Sequence, residues 1–257
     1  MELIVLGCWA PYPRAGGACS GYLVRGGGVN VLLEAGNGSL SRLLRWIDFR
    51  SLDAVVVSHL HHDHYLDLFP LRHAVEGARR EGRLSGPLKL VLPAEPEEVH
   101  QQLACYTKAF EAVPIESLPW EKTAGGARAH GLNVNGLRFR FVPAVHSLPA
   151  YSFSVQHKES KLVYSGDTAR SGELVDLAGG AGLFLCEASG LDDDLGYLKG
   201  SHLTAREAGE VAREAGLKRL LITHLWPEYD PEELARQAGE GFGGQVMAAQ
   251  EGETYPV

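Results

Sequence analysis

The chain alternates short, continuous apolar runs with segments whose apolar residues recur at helical spacing. A continuous run of about 4 to 8 apolar residues is typical of a strand buried on both faces of a sheet. Such runs predict five buried strands: ELIVLGC (2–8), DAVVVSH (53–59), LKLVLP (88–93), GLFLCEAS (182–189) and KRLLITH (218–224).

Other strands are predicted by tight turns and by alternation of apolar and polar residues. GYLVR (21–25) and NVLLEAG (30–36) are joined by the glycine turn of RGGG, which favours a hairpin. Three successive candidates follow in the second half, the first of them alternating as a half-buried strand should. They are LRFRFVPAVHS (137–147), YSFSVQH (151–157) and KLVYSGD (161–167).

Helical spacing predicts six helices. Thr204 and Glu207 form the capping box of one of them, and Pro70 is expected in an early turn or at a kink of another. The helices are SLSRLLRWI (39–47), YLDLFPLRHAVEGARR (65–80), PEEVHQQLACYTKAF (96–110), SGELVDLAGG (171–180), TAREAGEVAREAG (204–216) and PEELARQAG (231–239). Residues 112–136 are rich in Gly, Pro and Ala and are predicted to be loop.

Strands followed by helices, twice over, predict an α/β fold. VVVSHL (55–60) and LLITHL (220–225) are both apolar strands that end in hydroxyl-His-Leu, a pattern that suggests two related halves facing each other. The chain has 257 residues, of which 45% are hydrophobic and 22% charged, so it can bury a sizeable core. We expect one domain over residues 1–257.

The charge, the N-terminal segment and the lengths of the apolar runs argue against binding of long nucleic acid, secretion and membrane insertion. A formal net charge of -8 disfavours a protein that grips long nucleic acid, because phosphate neutralisation supplies most of that affinity. The N-terminus lacks the basic leader of a signal peptide, and no apolar run approaches the ~18 residues of a membrane span. Four scattered cysteines fit reduced thiols, so we expect a cytoplasmic protein without membrane attachment.

The clearest chemical signal is the segment SHLHHDHYLDL (58–68), which places several imidazoles and a carboxylate in one turn. Residues two apart at the end of a strand project to the same side, so His59 and His61 can bind one metal ion. The following turn carries Asp63 and His64 toward a neighbouring position. Imidazole and carboxylate ligands suit zinc, with manganese or iron as alternatives.

Further ligand-type residues follow other predicted strands. His146 follows RFRFVPAV, Asp167 follows KLVYSG and His224 follows RLLIT. Open sheets usually place their sites beyond the carboxyl ends of strands. Each residue alone would more often be an ordinary surface or hydrogen-bonded side chain, but their joint occurrence at strand ends favours a shared site.

These motifs resemble those of the metallo-β-lactamase-fold hydrolases. The resemblance implies a four-layer αββα sandwich with two divalent metal ions at the sheet edges. His59, His61 and His146 would hold the first ion, and Asp63, His64 and His224 the second. Asp167 would bridge the two.

Within that superfamily the chain is most similar to the ribonuclease Z-like branch. The run from Cys186 to Pro227 carries the branch's Glu-Ala, His-x-Thr and Thr-His motifs, and His202 matches its additional histidine near the scissile phosphate. The opening VLGCWAPYP…SGYLV resembles a group of small bacterial members that includes enzymes acting on cyclic nucleotides. The resemblance also implies a homodimer.

Two departures from the branch bear on the substrate. Only residues 147–166 separate His146 from Asp167, whereas the tRNA-processing enzymes insert a flexible tRNA-binding arm there. Glu34 stands where the family more often has Asp, and it is either a support for the His-rich segment or a surface acid. An aspartate rather than a cysteine at Asp167 favours a closely bridged metal pair, which suits phosphoryl displacement and disfavours a β-lactam hydrolase.

The sequence therefore predicts a phosphodiesterase that acts on a small phosphodiester or cyclic nucleotide through a metal-bridging hydroxide. Asp63 would orient that hydroxide or accept its proton, and His202 would donate a hydrogen bond or a proton to the phosphate side. The alternatives are a tRNA 3′-processing endonuclease, a thioester or lactone hydrolase on the same fold, and a non-catalytic metal-binding scaffold.

Overall fold

The computed structural model of the protein describes residues 1–123 and 125–257. Its strands are β1 (Glu2–Gly7), β2 (Gly21–Gly26), β3 (Val29–Leu33), β4 (Ala54–Val56), β5 (Leu88–Leu92), β6 (Phe110–Pro114), β7 (Trp120–Lys122), β8 (Arg128–Val134), β9 (Leu137–Pro143), β10 (Tyr151–His157), β11 (Ser160–Tyr164), β12 (Leu183–Glu187), β13 (Arg219–Thr223), β14 (Gln245–Ala248) and β15 (Thr254–Pro256).

The α-helices are α1 (Ser39–Leu43), α2 (His62–Tyr65), α3 (Leu68–Arg80), α4 (Glu97–Ala104), α5 (Gly172–Ala178), α6 (Leu195–Leu198), α7 (Ala205–Glu214) and α8 (Pro231–Phe242). Short 3-10 helices cover Phe49–Ser51, Ile115–Ser117 and Asp192–Asp194. Within the described residues, none of these helices has both the length and the apolar character needed to cross a membrane.

The strands form two mixed sheets. The first has the order β15-β1-β2-β3-β4-β5-β6, and the second has the order β14-β13-β12-β11-β10-β9-β8-β7. Strands β3 to β6 are parallel in the first sheet, and β11 to β14 are parallel in the second. The two strands with similar sequences, β4 and β13, thus lie in the parallel parts of opposite sheets.

Alternation along the first sheet explains why its strands read as continuous apolar runs. Leu3 and Val5 belong to the core between the sheets, whereas Ile4 and Leu6 pack on the opposite face. Helices α1, α3 and α4 cover that outer face, and α5, α7 and α8 cover the outer face of the second sheet. The layers are therefore helix, sheet, sheet, helix, which confirms the predicted αββα sandwich.

Several predicted helices are shorter than the apolar pattern suggests; the first of them, α1, ends at Leu43. The segment from Tyr65 onward is not one helix, because the backbone N–H of Asp67 donates to the carbonyl of Ala35 at 2.8 Å and separates α2 from α3. Pro70 lies in the first turn of α3, as predicted. Helix α4 ends at Ala104, since the chain turns through Tyr106 before β6 begins.

The prediction of loop over residues 112–136 is wrong for most of that segment. β6 extends to Pro114, β7 follows, and β8 pairs antiparallel with β9 from His130 to Val134. The Ala, Gly and Asn residues of β8 have low strand propensity, but pairing with the aromatic strand β9 outweighs it. Ala124, inside this segment, lies outside the described residues.

Candidate metal centre

The carboxyl ends of strands from both sheets meet at one edge of the sandwich. In the first sheet, His59 follows β4 by three residues, and Asp63 and His64 lie on α2. In the second sheet, His146 and Asp167 follow β9 and β11 by three residues, and His224 directly follows β13. These strand ends share one direction, so side chains distant in sequence converge.

The first group of donors consists of His59, His61, His146 and Asp167. One ligand-type atom from each lies within 4.8 Å of those of the other three. Nδ1 of His61 is 3.1 Å from Nε2 of His59 and 3.1 Å from Nε2 of His146. Ring nitrogens that face one another this closely form an arrangement suited to a shared cation.

The second group consists of Asp63, His64 and His224, again within 4.8 Å of one another. Oδ2 of Asp63 lies 3.5 Å from Nε2 of both histidines. Asp167 reaches this group as well, with Oδ2 at 3.0 Å from Nε2 of His224 and Oδ1 at 3.5 Å from Nε2 of His64. Asp167 therefore lies between the two groups.

Several atoms of this cluster are buried without a hydrogen-bond partner in the part of the chain that the structure describes. They are Nδ1 and Nε2 of His64, Oδ1 of Asp167 and Nε2 of His224. Unpartnered buried polar atoms are costly, and such atoms in native proteins usually have a water or an ion as partner. Nitrogen and oxygen donors in this number fit divalent cations such as zinc, manganese or iron.

The charges around the cluster also favour a bound cation. Burial lowers the pKa values of His59, His61 and His146, which keeps these imidazoles neutral and able to ligate. Burial would also lower the pKa of His224, but Asp167 and Asp63 outweigh it and raise the value to about 10. The excess negative charge that holds a proton there would equally attract a metal ion.

Neighbouring groups fix the orientation of the ring nitrogens that do not face the cluster. Nδ1 of His146 lies 2.8 Å from the carbonyl of Ser201, to which it must donate. A second ring nitrogen held in this way fixes the tautomer and leaves the other nitrogen free to ligate. Two further contacts have the same effect, His59 Nδ1 with Ser58 Oγ at 3.0 Å and His224 Nδ1 with Ser189 Oγ at 2.8 Å.

Glu34 is not a surface acid; it contacts the His-rich segment at Ser58 and His64 from a buried position. Its carboxylate is fully buried, and Oε1 accepts a hydrogen bond from the backbone N–H of Ser58 at 3.1 Å. Oε2 lies 3.6 Å from Nδ1 of His64. Glu34 also has a positive φ of 58°, a left-handed backbone that is uncommon for a residue with a side chain.

His202 lies beside both groups of donors but has a different environment. Its Nδ1 is 3.1 Å from Oε2 of Glu187 and 3.9 Å from Oδ2 of Asp167. Burial would lower its pKa, but Glu187 and Asp167 outweigh burial and raise it. Because Nδ1 is bound to Glu187, Nε2 is the nitrogen that can meet a substrate.

Glu187 and Ser189 also belong to the site, although neither was predicted as a site residue; Glu187 is the glutamate of the Glu-Ala motif. Glu187 is fully buried, accepts from the backbone N–H of Thr168 at 2.5 Å, and accepts from the hydroxyl of Ser189. The signals in the sequence were that motif and the position of a carboxylate at the end of an otherwise apolar strand. Through these bonds one carboxylate orients both His202 and, by way of Ser189, His224.

Comparison with known proteins agrees with this geometry. The family model described as the β-lactamase superfamily domain matches residues 29–225. The chain is also 30% identical to the probable metallo-hydrolase YhfI of Bacillus subtilis, covering 98% of this chain and 98% of that protein. The chain belongs to the β-lactamase superfamily.

Solved structures and further relatives of this superfamily extend the match. The crystal structure of YhfI superposes with a TM-score of 0.89 at 27% identity, over 99% of this chain and 98% of that one. Ribonuclease Z of Myxococcus xanthus is 28% identical over 100% of this chain and 98% of its own length. The short form of human tRNase Z, at 20% identity and a TM-score of 0.74 over 100% and 99% of the two chains, shows the shared fold alone.

These findings confirm the predicted resemblance to metallo-β-lactamase-fold hydrolases and to their ribonuclease Z-like branch. They place the chain among the metallo-hydrolases of this fold, and its clusters of His and Asp donors could hold metal ions.

A cavity of about 560 Å³ opens directly above the donors. Its volume lies within the range of small-molecule sites and far exceeds that of one phosphate group. The polar lining residues are His61, His62, Asp63, Asp167, Ser189, Ser201, His202 and His224. The apolar and aromatic lining residues are Ala10, Pro11, Tyr197, Leu198 and Trp226.

Proposed function

We propose that this member of the superfamily is a metal-dependent phosphodiesterase that hydrolyses a small phosphodiester or cyclic nucleotide. The observation that carries the proposal is the convergence of two donor groups, with Asp167 between them, on a cavity that His202 also lines. Two adjacent cation sites suit phosphoryl transfer because charge develops on both the attacking and the leaving oxygen.

Under this proposal His59, His61 and His146 would hold one divalent ion, Asp63, His64 and His224 would hold a second, and Asp167 would serve both sites. Zinc is our first choice, since imidazole and carboxylate are among its usual ligands, and manganese or iron are the alternatives. When bound, such ions lower the pKa of water and neutralise the phosphate.

Asp63 and His202 carry the proton transfers. Burial would raise the pKa of Asp63, but His64 and His224 outweigh burial and lower it, so the carboxylate stays ionised and can orient water. Water adds to phosphorus, the bond from phosphorus to the leaving oxygen breaks, and Asp63 takes the proton of the water. His202, whose pKa is raised, supplies a proton or hydrogen bond to the leaving oxygen.

The chain between His146 and Asp167 supports a small substrate. Residues 147–166 are used by β10, β11 and the turns beside them, so this stretch forms part of the second sheet and does not extend as an arm. The apolar core between the sheets runs from Leu3 to Ala249, which supports a single domain.

A tRNA 3′-processing endonuclease is the second candidate, and the full-length similarity to a ribonuclease Z favours it. The two activities place different demands on the surface. A tRNA substrate needs many phosphate contacts beyond the cavity, whereas a small phosphodiester needs only the cavity itself.

A substrate panel on protein of measured metal content tests the proposal. The panel contains cyclic nucleotides, an aryl phosphodiester, a glutathione thioester, a lactone and precursor tRNA, and elemental analysis gives the metal per chain. We expect turnover of the first two with about two metal ions per chain. Asp63→Asn should abolish turnover, and Asp193→Asn, which changes an exposed aspartate outside the cavity, should not.

Cleavage of precursor tRNA without cleavage of small phosphodiesters would replace this function with the second candidate. Turnover of none of the compounds by fully metallated protein would instead indicate a metal-binding scaffold.

A further inference from the structure

The apolar and aromatic lining of the cavity comes from three segments that are distant in sequence. They are Ala10 with Pro11, Tyr197 with Leu198, and Trp226. Among the described residues that line the cavity, none is a lysine or an arginine. A phosphate in the cavity would therefore meet the donor cluster and the imidazoles of His62 and His202, with no lysine or arginine beside them.

Tyr197 is notable for its exposure. Its side chain lies on α6 and is 82% exposed, although it lines the cavity. The neighbouring Leu198 is buried, and its carbonyl accepts hydrogen bonds from the backbone N–H groups of Ser201 at 3.1 Å and His202 at 3.0 Å. An exposed ring is therefore attached to backbone that is fixed relative to His202.

Trp226 is held in place from the other side. The backbone of Leu225, between His224 and Trp226, donates to the carbonyl of Cys8 at 2.8 Å and accepts from the N–H of Ala10 at 3.1 Å. The ring of Tyr12 packs edge-on against Trp226 at 6.1 Å. Trp226 is therefore positioned before a ligand arrives, which lowers the entropic cost of binding.

We propose that Tyr197 and Trp226 form a ring-binding wall, which selects phosphodiesters that carry a planar aromatic group beside a single phosphate. This inference rests on the proposed phosphodiesterase function and names its substrate class, nucleoside or aryl monophosphodiesters. Aromatic side chains bind the face of any base, so the wall recognises the ring without reading its identity. The absence of lysine and arginine from the lining leaves a second phosphate without a counter-charge.

Binding of two related monoesters tests the wall directly. Adenosine 5′-monophosphate and ribose 5-phosphate carry the same phosphate and sugar, but only the first has an aromatic base. Isothermal titration calorimetry on the metal-loaded full chain should show roughly tenfold tighter binding of the adenosine compound, the order expected for stacking of one base. Tyr197→Ala should bring the ratio of the two affinities toward one, and Tyr197→Phe should keep it.

Leu195→Ala is the matched control, because Leu195 lies on the same helix, is 47% exposed, and does not line the cavity. It should leave the ratio unchanged, and all variants should retain the metal content of the wild type. With a cyclic nucleotide as substrate, Tyr197→Ala should raise KM and leave kcat nearly unchanged, as expected for a group that binds without reacting.

Equal binding of the two monoesters by wild type, or an unchanged ratio in Tyr197→Ala, would overturn the wall even if phosphodiester turnover is found. Tighter binding of adenosine 5′-monophosphate than of ribose 5-phosphate by the wild type, without any phosphodiester turnover, would support the wall and refute the proposed reaction.

Discussion

The substitution Glu187→Gln isolates the role of a carboxylate that touches no substrate. Oε1 of Glu187 accepts from the N–H of Thr168, and the glutamine oxygen can keep that bond. Oε2 lies 3.1 Å from Nδ1 of His202 and accepts from Ser189, and the amide group that replaces it is a donor. The variant should therefore fold while His202 loses its charged partner.

The size of the effect follows from that lost hydrogen bond. A hydrogen bond to a charged group contributes about 1.5 to 3 kcal/mol. If His202 acts on the leaving oxygen in the transition state, loss of its orientation should lower kcat by roughly 10- to 100-fold, since each ~1.4 kcal/mol corresponds to a factor of ten. KM should change little, because Glu187 does not line the cavity.

Steady-state kinetics with an aryl phosphodiester, elemental analysis and the pH profile of kcat together check this prediction. The limb of the profile that reports His202 should move to lower pH, because Glu187 raises the pKa of that imidazole. Glu159→Gln, at an exposed position, provides the matched control. An unchanged kcat and profile would refute the role assigned to Glu187, and loss of metal would reassign it to support of the donor cluster through Ser189.

Three further outcomes are expected. His202→Ala should lower turnover by ~10²- to 10⁴-fold, the usual contribution of a general acid, and elemental analysis should show unchanged metal; metal loss would make His202 a ligand. Removal of bound metal by a chelator should lower Tm by ~5 to 10 °C. A ligand at a hundredfold its Kd stabilises the folded protein by ~2.7 kcal/mol, and each kcal/mol shifts Tm by ~2 to 4 °C. An unchanged Tm would argue against a tightly held metal. Gly209→Ala should lower the free energy of unfolding by ~1 to 3 kcal/mol, because the added Cβ would lie 2.0 Å from the carbonyl oxygen of Ala238, where α7 packs on α8. Gly239→Ala, which has open space around the added Cβ, should not destabilise the protein. Equal denaturation midpoints for the two variants would contradict the close packing.

Local patterns predicted the strands and the donor positions, whereas the four-layer αββα arrangement was implied by the resemblance to metallo-β-lactamase-fold hydrolases. Continuous apolar runs identified strands buried on both faces, and His146, Asp167 and His224 each stand just beyond a predicted strand. Strands that share a direction bring their carboxyl ends to one edge, so position along the chain was enough to predict proximity. Their role as metal ligands is a proposal that the geometry supports.

Other features depend on contacts that no local pattern shows. β8 contains low-propensity residues and forms a strand through its pairing with β9. The contacts of Glu187 with His202 and Ser189 appear only when β12 places these side chains together. The ring-binding wall likewise exists only where α6 and the residues after β13 face the same cavity.

The division of the donors between the two sheets has a consequence for how the protein acquires its site. His59 and His224 are 165 positions apart, so the cluster cannot assemble from either half alone and must wait for a contact of very high sequence separation. Metal binding would then cross-link the two halves after they have docked and would stabilise the folded protein. A mutation that weakens the packing between the two sheets would thus abolish activity while each half still kept its own secondary structure.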